Sequence, residues 1–295
     1  MSEHIGFVGL GNMGHAIAEN ILKAGYDTHV YNRDGSKAKA LVAAGAKQGM
    51  RPADVVEPGG VVMTMVAHDA ALEDVTLGPD GILARLGPGG VHISMSTVSP
   101  ATARKMTELH EQEGCTYIAA PVFGRPDAAA ARRLWVCCAG ATEAKERVQP
   151  LLKATGQGIF DFGDDPAMAN VVKLCGNFLV VSAMEALAEA LTLAEKHGID
   201  RSAVAQFLTQ TAFACPIYQN YGRMIAEKRY TPAGFQMVLG LKDVNLMLDT
   251  AEQAKMPLPL ANLVHDHLLS GIAKGRGELD WSALAQIVGE AAGVE

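Results

Sequence analysis

Apolar positions along this chain follow two periods, and the change from one to the other divides it. Between residues 5 and 162, short apolar runs alternate with stretches of helical spacing. The runs Ile5–Val8, Thr28–Tyr31, Val61–Val66, Val91–Ser94, Tyr117–Ala120, Leu134–Ala139 and Gly158–Phe162 predict strands. Apolar residues three and four apart predict helices over Ser36–Ala44, Ala70–Val75, Ala101–Glu113 and Thr142–Ala154, and over Ala16–Lys23 near the start. Strands that alternate with helices pair in parallel, so this half predicts a doubly wound α/β sheet with a crevice at the strand C-termini. From Asp164 onward every apolar pattern is helical. Helices are predicted over Arg201–Gln210, Ile217–Glu227, Leu239–Lys255 and Leu260–Lys274, with a last one near Trp281–Glu290. Residues 1–163 are therefore expected to form the sheet domain and 164–295 an all-α domain.

One long helix, over about 166–197, is expected to join them, a rod of about 45–50 Å. Asp165 is its N-cap and Pro166 its first residue, where the missing N–H costs nothing. Gly198 closes it after the basic Lys196 and His197. Its first half is apolar on nearly every side and should be buried. Through it runs one polar stripe, Asn170, Lys173 and Asn177, at spacings of three and four. Gly176 alongside leaves room for another backbone or a ligand. A lysine so placed either snorkels its ammonium out to water or serves chemistry inside. Spacing alone leaves both open.

The start of the chain bears on that choice. Ile5–Val8 runs straight into Gly9-Leu10-Gly11-Asn12-Met13-Gly14, and helical spacing follows. Strand, glycine turn and helix in that order suit a dinucleotide pyrophosphate. Gly9 permits the tight turn, Gly11 lets backbone approach phosphate, and Gly14 lets helix and strand pack closely. The sheet domain is thus expected to be Rossmann-type. Folds that prefer NAD usually end their second strand in an acid that bonds the ribose 2′-OH. Asn32 stands there, with Arg33 beside it. An amide and a guanidinium suit a 2′-phosphate, so NADPH is the expected cofactor and NAD the less favoured one. Asp34 could argue the other way, though it also suits a helix cap, and Arg33 could be an ordinary loop residue.

Composition narrows the classes. A net charge of −7 and no basic run argue against a nucleic-acid partner. The most apolar stretch, Phe178–Ala194, carries Glu185 and Glu189, so no membrane span is expected. The start, M-S-E-H, has no basic segment of the secretory kind. Five cysteines at irregular spacing, without a C-x-x-C, suit reduced thiols in the cytoplasm. His265 and His267 lack partners nearby, and no metal site is expected.

Taken together, these motifs resemble the β-hydroxyacid dehydrogenase family over essentially the whole chain. That family includes 3-hydroxyisobutyrate dehydrogenases, tartronate semialdehyde reductases and plant-type glyoxylate/succinic semialdehyde reductases. F-V-G-L-G-N-M-G is similar to its cofactor signature, and M-S-T-V-S-P (95–100) to its S-T-x-S-P loop. A-P-V-F-G (120–124) falls where the family has A-P-V-S-G, and V-V-K-L-C-G-N (171–177) where it has A-K-x-x-N-N. G-F-Q-M-V-L-G-L-K-D-V-N-L (234–246) resembles its F…L-x-K-D-L-x-L stretch.

The resemblance implies Lys173 as catalytic lysine with Asn177 beside it, and Thr97 contacting cofactor and substrate. It implies Lys242 reaching the cofactor, Phe235 and Asp243 near the closed site, and the backbone of Met65 and Val66 at the adenosine half. Val122, Phe123, Gly124 and Arg125 fall on the substrate loop, but there the chain departs from the family. The Ser-Gly-Gly that holds a substrate carboxylate is here Phe123-Gly124-Arg125. The acid that often precedes Ala-Pro is Ala119, and Leu-Pro after the third strand is Val66-Ala67. If Arg125 points inward a carboxylate is retained; if outward, less polar aldehydes are favoured.

The activity implied is hydride transfer between nicotinamide and a small carbonyl, with Lys173 as general acid, or as base in the reverse direction. Imine reduction on the same architecture and a non-catalytic cofactor-binding interaction module are the rivals. Relatives of either kind usually lack this lysine. A long apolar helix with a small helical domain suggests a homodimer or homotetramer.

Overall fold

A computed structural model of the chain describes residues 3–294; Met1 and Ser2, which open the M-S-E-H start, and Glu295 lie outside the described residues. Contacts divide the chain into two compact units, Met1–Lys173 and Leu174–Glu295. The first two turns of the long helix therefore go with the sheet.

In the first unit β1 (His4–Val8), α1 (Asn12–Lys23), β2 (Asp27–Tyr31), α2 (Lys39–Ala43) and β3 (Lys47–Gln48) build one half of a parallel sheet. The other half is β4 (Val61–Thr64), α3 (Asp69–Leu77), α4 (Leu83–Leu86), β5 (Val91–Ser94), α5 (Pro100–Gln112) and β6 (Thr116–Ala119). The strand order is β3-β2-β1-β4-β5-β6. The chain steps outward from β1 to β3, then restarts on the other side of β1 with β4. Loops after β1 and β4 consequently diverge, and the crevice between them is where such sheets bind ligands. Ile5, Phe7, Ile17, Ile21, Met63 and Ile93 are fully buried between α1 and the strands. α1 starts at Asn12, earlier than the apolar spacing predicts, because Gly11 is already its extended N-cap.

The remaining strands do not extend this sheet. β7 (Val122–Phe123), α6 (Pro126–Ala130), β8 (Leu134–Cys138), α7 (Thr142–Lys153) and β9 (Gly156–Asp161) form a second, three-stranded sheet with its helices, bridged to the end of β6 where Ala119 pairs antiparallel with Ala139. β7 pairs antiparallel with β8, and β8 parallel with β9. A parallel neighbour needs a crossover of about a dozen residues or more, and the link from β7 to β8 is too short for one. Beside these strands packs the start of α8 (Pro166–Lys196), with Ala167 and Ala169 buried against Val98, Tyr117 and Cys137.

The ends of α8 are those the sequence signals. The Asp165 carboxylate accepts from the Ala167 N–H at 2.9 Å, and Gly198 follows the last turn at φ +73°. By length and composition alone α8 could cross a bilayer. Its apolar residues have other company.

In the second unit Leu174, Val181, Met184, Leu187 and Leu191 of α8 pack with four further helices. These are α10 (Pro216–Ala226), α11 (Met237–Gln253), α12 (Pro259–Ala273) and α13 (Leu284–Ala291). α9 (Arg201–Gln210) joins the same core through Ala205. Glu185 is buried within it and pairs with His267 at 3.0 Å. Asp280, also buried, accepts from the Gly234 and Phe235 N–H groups and from Ser282, fixing the turn that opens α11. The Trp281 indole donates to the Tyr221 hydroxyl at 2.9 Å, and Phe235 stacks edge-on against Trp281.

Candidate active site

The three glycines of the first loop do three separable jobs. Gly9 sits at φ +98°, and a Cβ there would lie 2.2 Å from the Met65 carbonyl oxygen, so only glycine lets the backbones lie this close at the roots of the two diverging loops after β1 and β4. A Cβ at Gly14 would lie 2.0 Å from the carbonyl oxygen of Gly9, which is how closely α1 is drawn onto the loop. At Gly11 a Cβ would meet nothing within 4 Å. Open space thus lies at the N-terminus of a twelve-residue helix whose N-cap carries no side-chain bond. Unsatisfied N–H groups and a positive helix end facing open space fit a pyrophosphate, and with it a dinucleotide.

Asn32 has a task that spacing does not reveal. Its side-chain oxygen accepts from the Leu10 N–H at 2.8 Å, and its amide donates to the Asp34 carbonyl at 3.0 Å. It ties the glycine loop to the end of β2. Asp34 caps the short 3₁₀ helix Gly35–Ala38, accepting from the Ser36 N–H and hydroxyl, and those bonds hold its carboxyl below the usual range. Arg33, Lys37 and Lys39 are exposed around this turn. Asn12 and Met13 form the first turn of α1.

The loops after β4 and β5 are fastened together. The Val66 N–H donates to the buried Ser96 hydroxyl at 2.8 Å, and the Met65 N–H to the Val8 carbonyl. Ser99 caps α5 through the Thr102 N–H, while its own N–H donates to Asp69 at 2.9 Å. Thr97, half-buried, lies between these two anchors. Ser96 and Asp69 were not among the predicted residues. Ser96 stands next to Thr97 in the motif, but nothing in the sequence links it to Val66.

Lys173 is only 9 % exposed, and its Nζ lies 4.0 Å from the centre of the Phe123 ring. The Cys137 thiol on β8 is within electrostatic reach; burial pushes its pKa up and the Lys173 charge opposes the rise. Val122 is buried, and Gly124 turns the chain at φ +141°. Arg125 is the extended, half-buried N-cap residue of α6, with Pro126 first in the helix.

Three of the predicted residues of the second unit form a cluster of their own, while Phe235 lies against Trp281. Asn177, one turn beyond Lys173 on α8, donates to the Asp243 carboxylate at 2.6 Å. Lys242 pairs with the other oxygen of Asp243, also at 2.6 Å. Asp243 is 1 % exposed, so a buried carboxylate holds the Asn177 amide and the Lys242 ammonium at once.

Away from these groups, at the start of β1 and β2, ligand atoms of His4, Asp27 and His29 come within 4.8 Å of one another. Lys47 already neutralises Asp27 at 2.9 Å, and His4 Nε2 bonds the Val55 carbonyl. Burial, with the neighbouring His4, lowers the pKa of His29.

Comparison with known proteins follows the same division. Residues 4–163 match the NAD-binding domain of 6-phosphogluconate dehydrogenase. Residues 167–288 match the NAD-binding domain of NADP-dependent 3-hydroxyisobutyrate dehydrogenase. The chain is 46 % identical to the uncharacterized oxidoreductase YfjR of Bacillus subtilis, across 96 % of its own length and 99 % of the relative's. It is 32 % identical to an NAD-dependent L-serine dehydrogenase of Pseudomonas aeruginosa, across 97 % of each. A crystal structure of a 3-hydroxyisobutyrate dehydrogenase from Salmonella typhimurium superposes with a TM-score of 0.88 at 27 % identity, over 97 % of this chain and all of that one. The likeness thus runs unbroken through sheet, long helix and helical unit, and the chain belongs to the β-hydroxyacid dehydrogenase family of NAD(P)-dependent oxidoreductases.

Proposed function

We propose that this enzyme uses NADPH to reduce the carbonyl of a small aldehyde or semialdehyde acid, or NADP to oxidise the matching β-hydroxyacid, with Lys173 as general acid and base. The observation that carries this reading is a nearly buried lysine in the same unit as a glycine loop shaped for a dinucleotide. When bound, the nicotinamide supplies or accepts the hydride. The loop Gly9–Gly14 and the N-terminus of α1 hold the pyrophosphate. Met65, Val66 and Thr97 line the cofactor from the loops after β4 and β5, as the resemblance implies. Arg33, with Lys37 and Lys39 close by, meets the 2′-phosphate, which favours NADPH over NADH. The Lys173 ammonium gives its proton to the carbonyl oxygen as negative charge develops there, and takes it back in the oxidation. Asn177 orients substrate or lysine, and Asp243 fixes the Asn177 amide.

For the substrate we favour a semialdehyde acid whose carboxylate is gripped by Arg125, since Phe123 stands where the family carries a hydroxyl. We place the enzyme in the cytoplasm, where the exposed Cys175 and Cys215 stay reduced, and expect it to assemble as a homodimer or homotetramer.

NADPH consumption with small aldehydes, semialdehyde acids and cyclic imines tests this reading. Semialdehyde acids are expected to turn over best. Arg125→Ala should raise their KM about tenfold or more and leave uncharged aldehydes nearly untouched. Turnover of imines alone would select imine reduction, and binding of NADPH without any turnover would select the interaction module.

A further inference from the structure

Phe123 is the largest departure from the family pattern on the substrate loop, and the structure puts its ring against the one buried amine of the stripe. The Lys173 Nζ lies 4.0 Å from the ring centre, inside the range of a cation over a π-face. The ring is held where it is from three sides. Phe123 pairs with Trp135 across the β7–β8 ladder, so its side of the strand is set by register. Gly124 follows at φ +141°, and a Cβ there would come within 2.5 Å of Leu134, so the turn after the ring admits glycine alone. The ring itself packs on the cluster that includes Cys137, Ala167 and Ala169, the last two from the first turn of α8. One small layer therefore fixes both the ring and the start of the helix that carries the lysine.

We propose that Phe123 is a positioning residue for Lys173: its negative π-face holds the ammonium and keeps it charged where water is scarce. The inference rests on the reading of Lys173 as proton donor. A hydroxyl at this position, as in the family pattern, would instead offer a hydrogen bond, which an ammonium can satisfy while swinging about it. A ring offers a broad negative face with a preferred height and no single acceptor atom. It favours the protonated form and excludes water, so the amine stays ready to donate. The Cys137 thiol on β8 feels the Lys173 charge, which opposes the rise that burial imposes on it. That thiol is the same in every variant below, so its own titration does not separate them.

The test reads the titration of Lys173 directly, in the full-length enzyme, from the ¹³Cε resonance of labelled lysine assigned by its loss in Lys173→Met. Phe123→Leu keeps an apolar, dry contact and removes the π-face. It should lower the Lys173 midpoint by about half to one and a half pH units. Phe123→Tyr keeps the face and should leave the midpoint within about 0.3 unit of wild type. Site-specific pentafluorophenylalanine keeps the size and reverses the ring quadrupole, and should act like leucine. In each variant, the alkaline limb of kcat/KM for carbonyl reduction should move from its wild-type position by the same amount, and in the same direction, as that variant's Lys173 midpoint.

An unchanged midpoint in Phe123→Leu and in the pentafluoro variant would overturn the proposal. So would an equal fall in Phe123→Tyr, which marks a role in packing alone. If Lys173→Met keeps full turnover, the reading of Lys173 as acid fails, while the resonance still decides whether the ring holds the ammonium.

Discussion

At the scale of single residues, several side chains do more than their position in a motif implies. Asn32 looks like a replacement for the acid that reads a ribose, yet both ends of its amide are bonded to backbone, at Leu10 and Asp34. An Asn32→Asp change could still accept from Leu10 but would set a carboxylate against the Asp34 carbonyl, so it is a poor probe of cofactor choice. Arg33 is the cleaner one. Loss of a charge-assisted contact to the 2′-phosphate costs about 1.5–3 kcal/mol, so Arg33→Ala should raise KM for NADPH roughly ten- to a hundredfold while KM for NADH stays put. Equal changes for the two cofactors in steady-state kinetics would remove Arg33 from that role. The Phe123 departure is visible in the sequence, but the ring-to-ammonium contact is not, because residues 123 and 173 meet only through the β7–β8 pairing and the docking of α8. The same holds for Asp243, legible as part of a motif and not as the group that holds Asn177 and Lys242 together.

At the scale of elements, what the sequence made legible is what is decided locally. Both ends of α8 follow from Asp165, Pro166 and Gly198, and the strands of the large sheet follow from short apolar runs. The β7-β8-β9 layer was not legible, since strand pairing depends on partners far apart in the chain. β3 and β7, two residues each, are too short to show a period. Also hidden was a buried chain that ties α5 to the sheet. His110 Nδ1 donates to the Met106 carbonyl, which can only accept, so His110 Nε2 accepts from His92 Nδ1, and His92 Nε2 from the Thr64 hydroxyl, each at 3.0 Å. Both rings are neutral. Burial lowers the His110 pKa to about 4 and that of His92 well below its ordinary 6.5. Unfolding lets each ring take up a proton, so this stability is present in full above about pH 6.5 and is lost as pH falls toward 4. His110 alone should account for a loss of about 2 kcal/mol by pH 5. Urea titrations at pH 7.5 and pH 5 check this; equal midpoints would show that the pair carries no such linkage.

At the scale of the whole molecule, α8 leaves part of its apolar surface uncovered. Leu179 and Leu193 are 68 % and 63 % exposed, and four turns bring them to one side of the helix. Apolar residues of that kind favour a second copy as partner. Light scattering of the purified enzyme should give a multiple of the 31.1 kDa chain mass, and Leu179→Glu with Leu193→Glu should bring it down to one chain. A wild-type enzyme that runs as a single chain would contradict the proposed assembly. In the proposed function both chemistry and assembly depend on this helix, and the reaction would hang on one atom of it, the Lys173 Nζ. Replacing Lys173 with Met keeps the length and apolar stem and removes the proton. With semialdehyde acid and NADPH, turnover of Lys173→Met should fall by about two orders of magnitude or more, while NADPH affinity stays within about twofold of wild type. Turnover within about threefold of wild type, at unchanged NADPH affinity, would contradict the assignment of Lys173 as the proton donor.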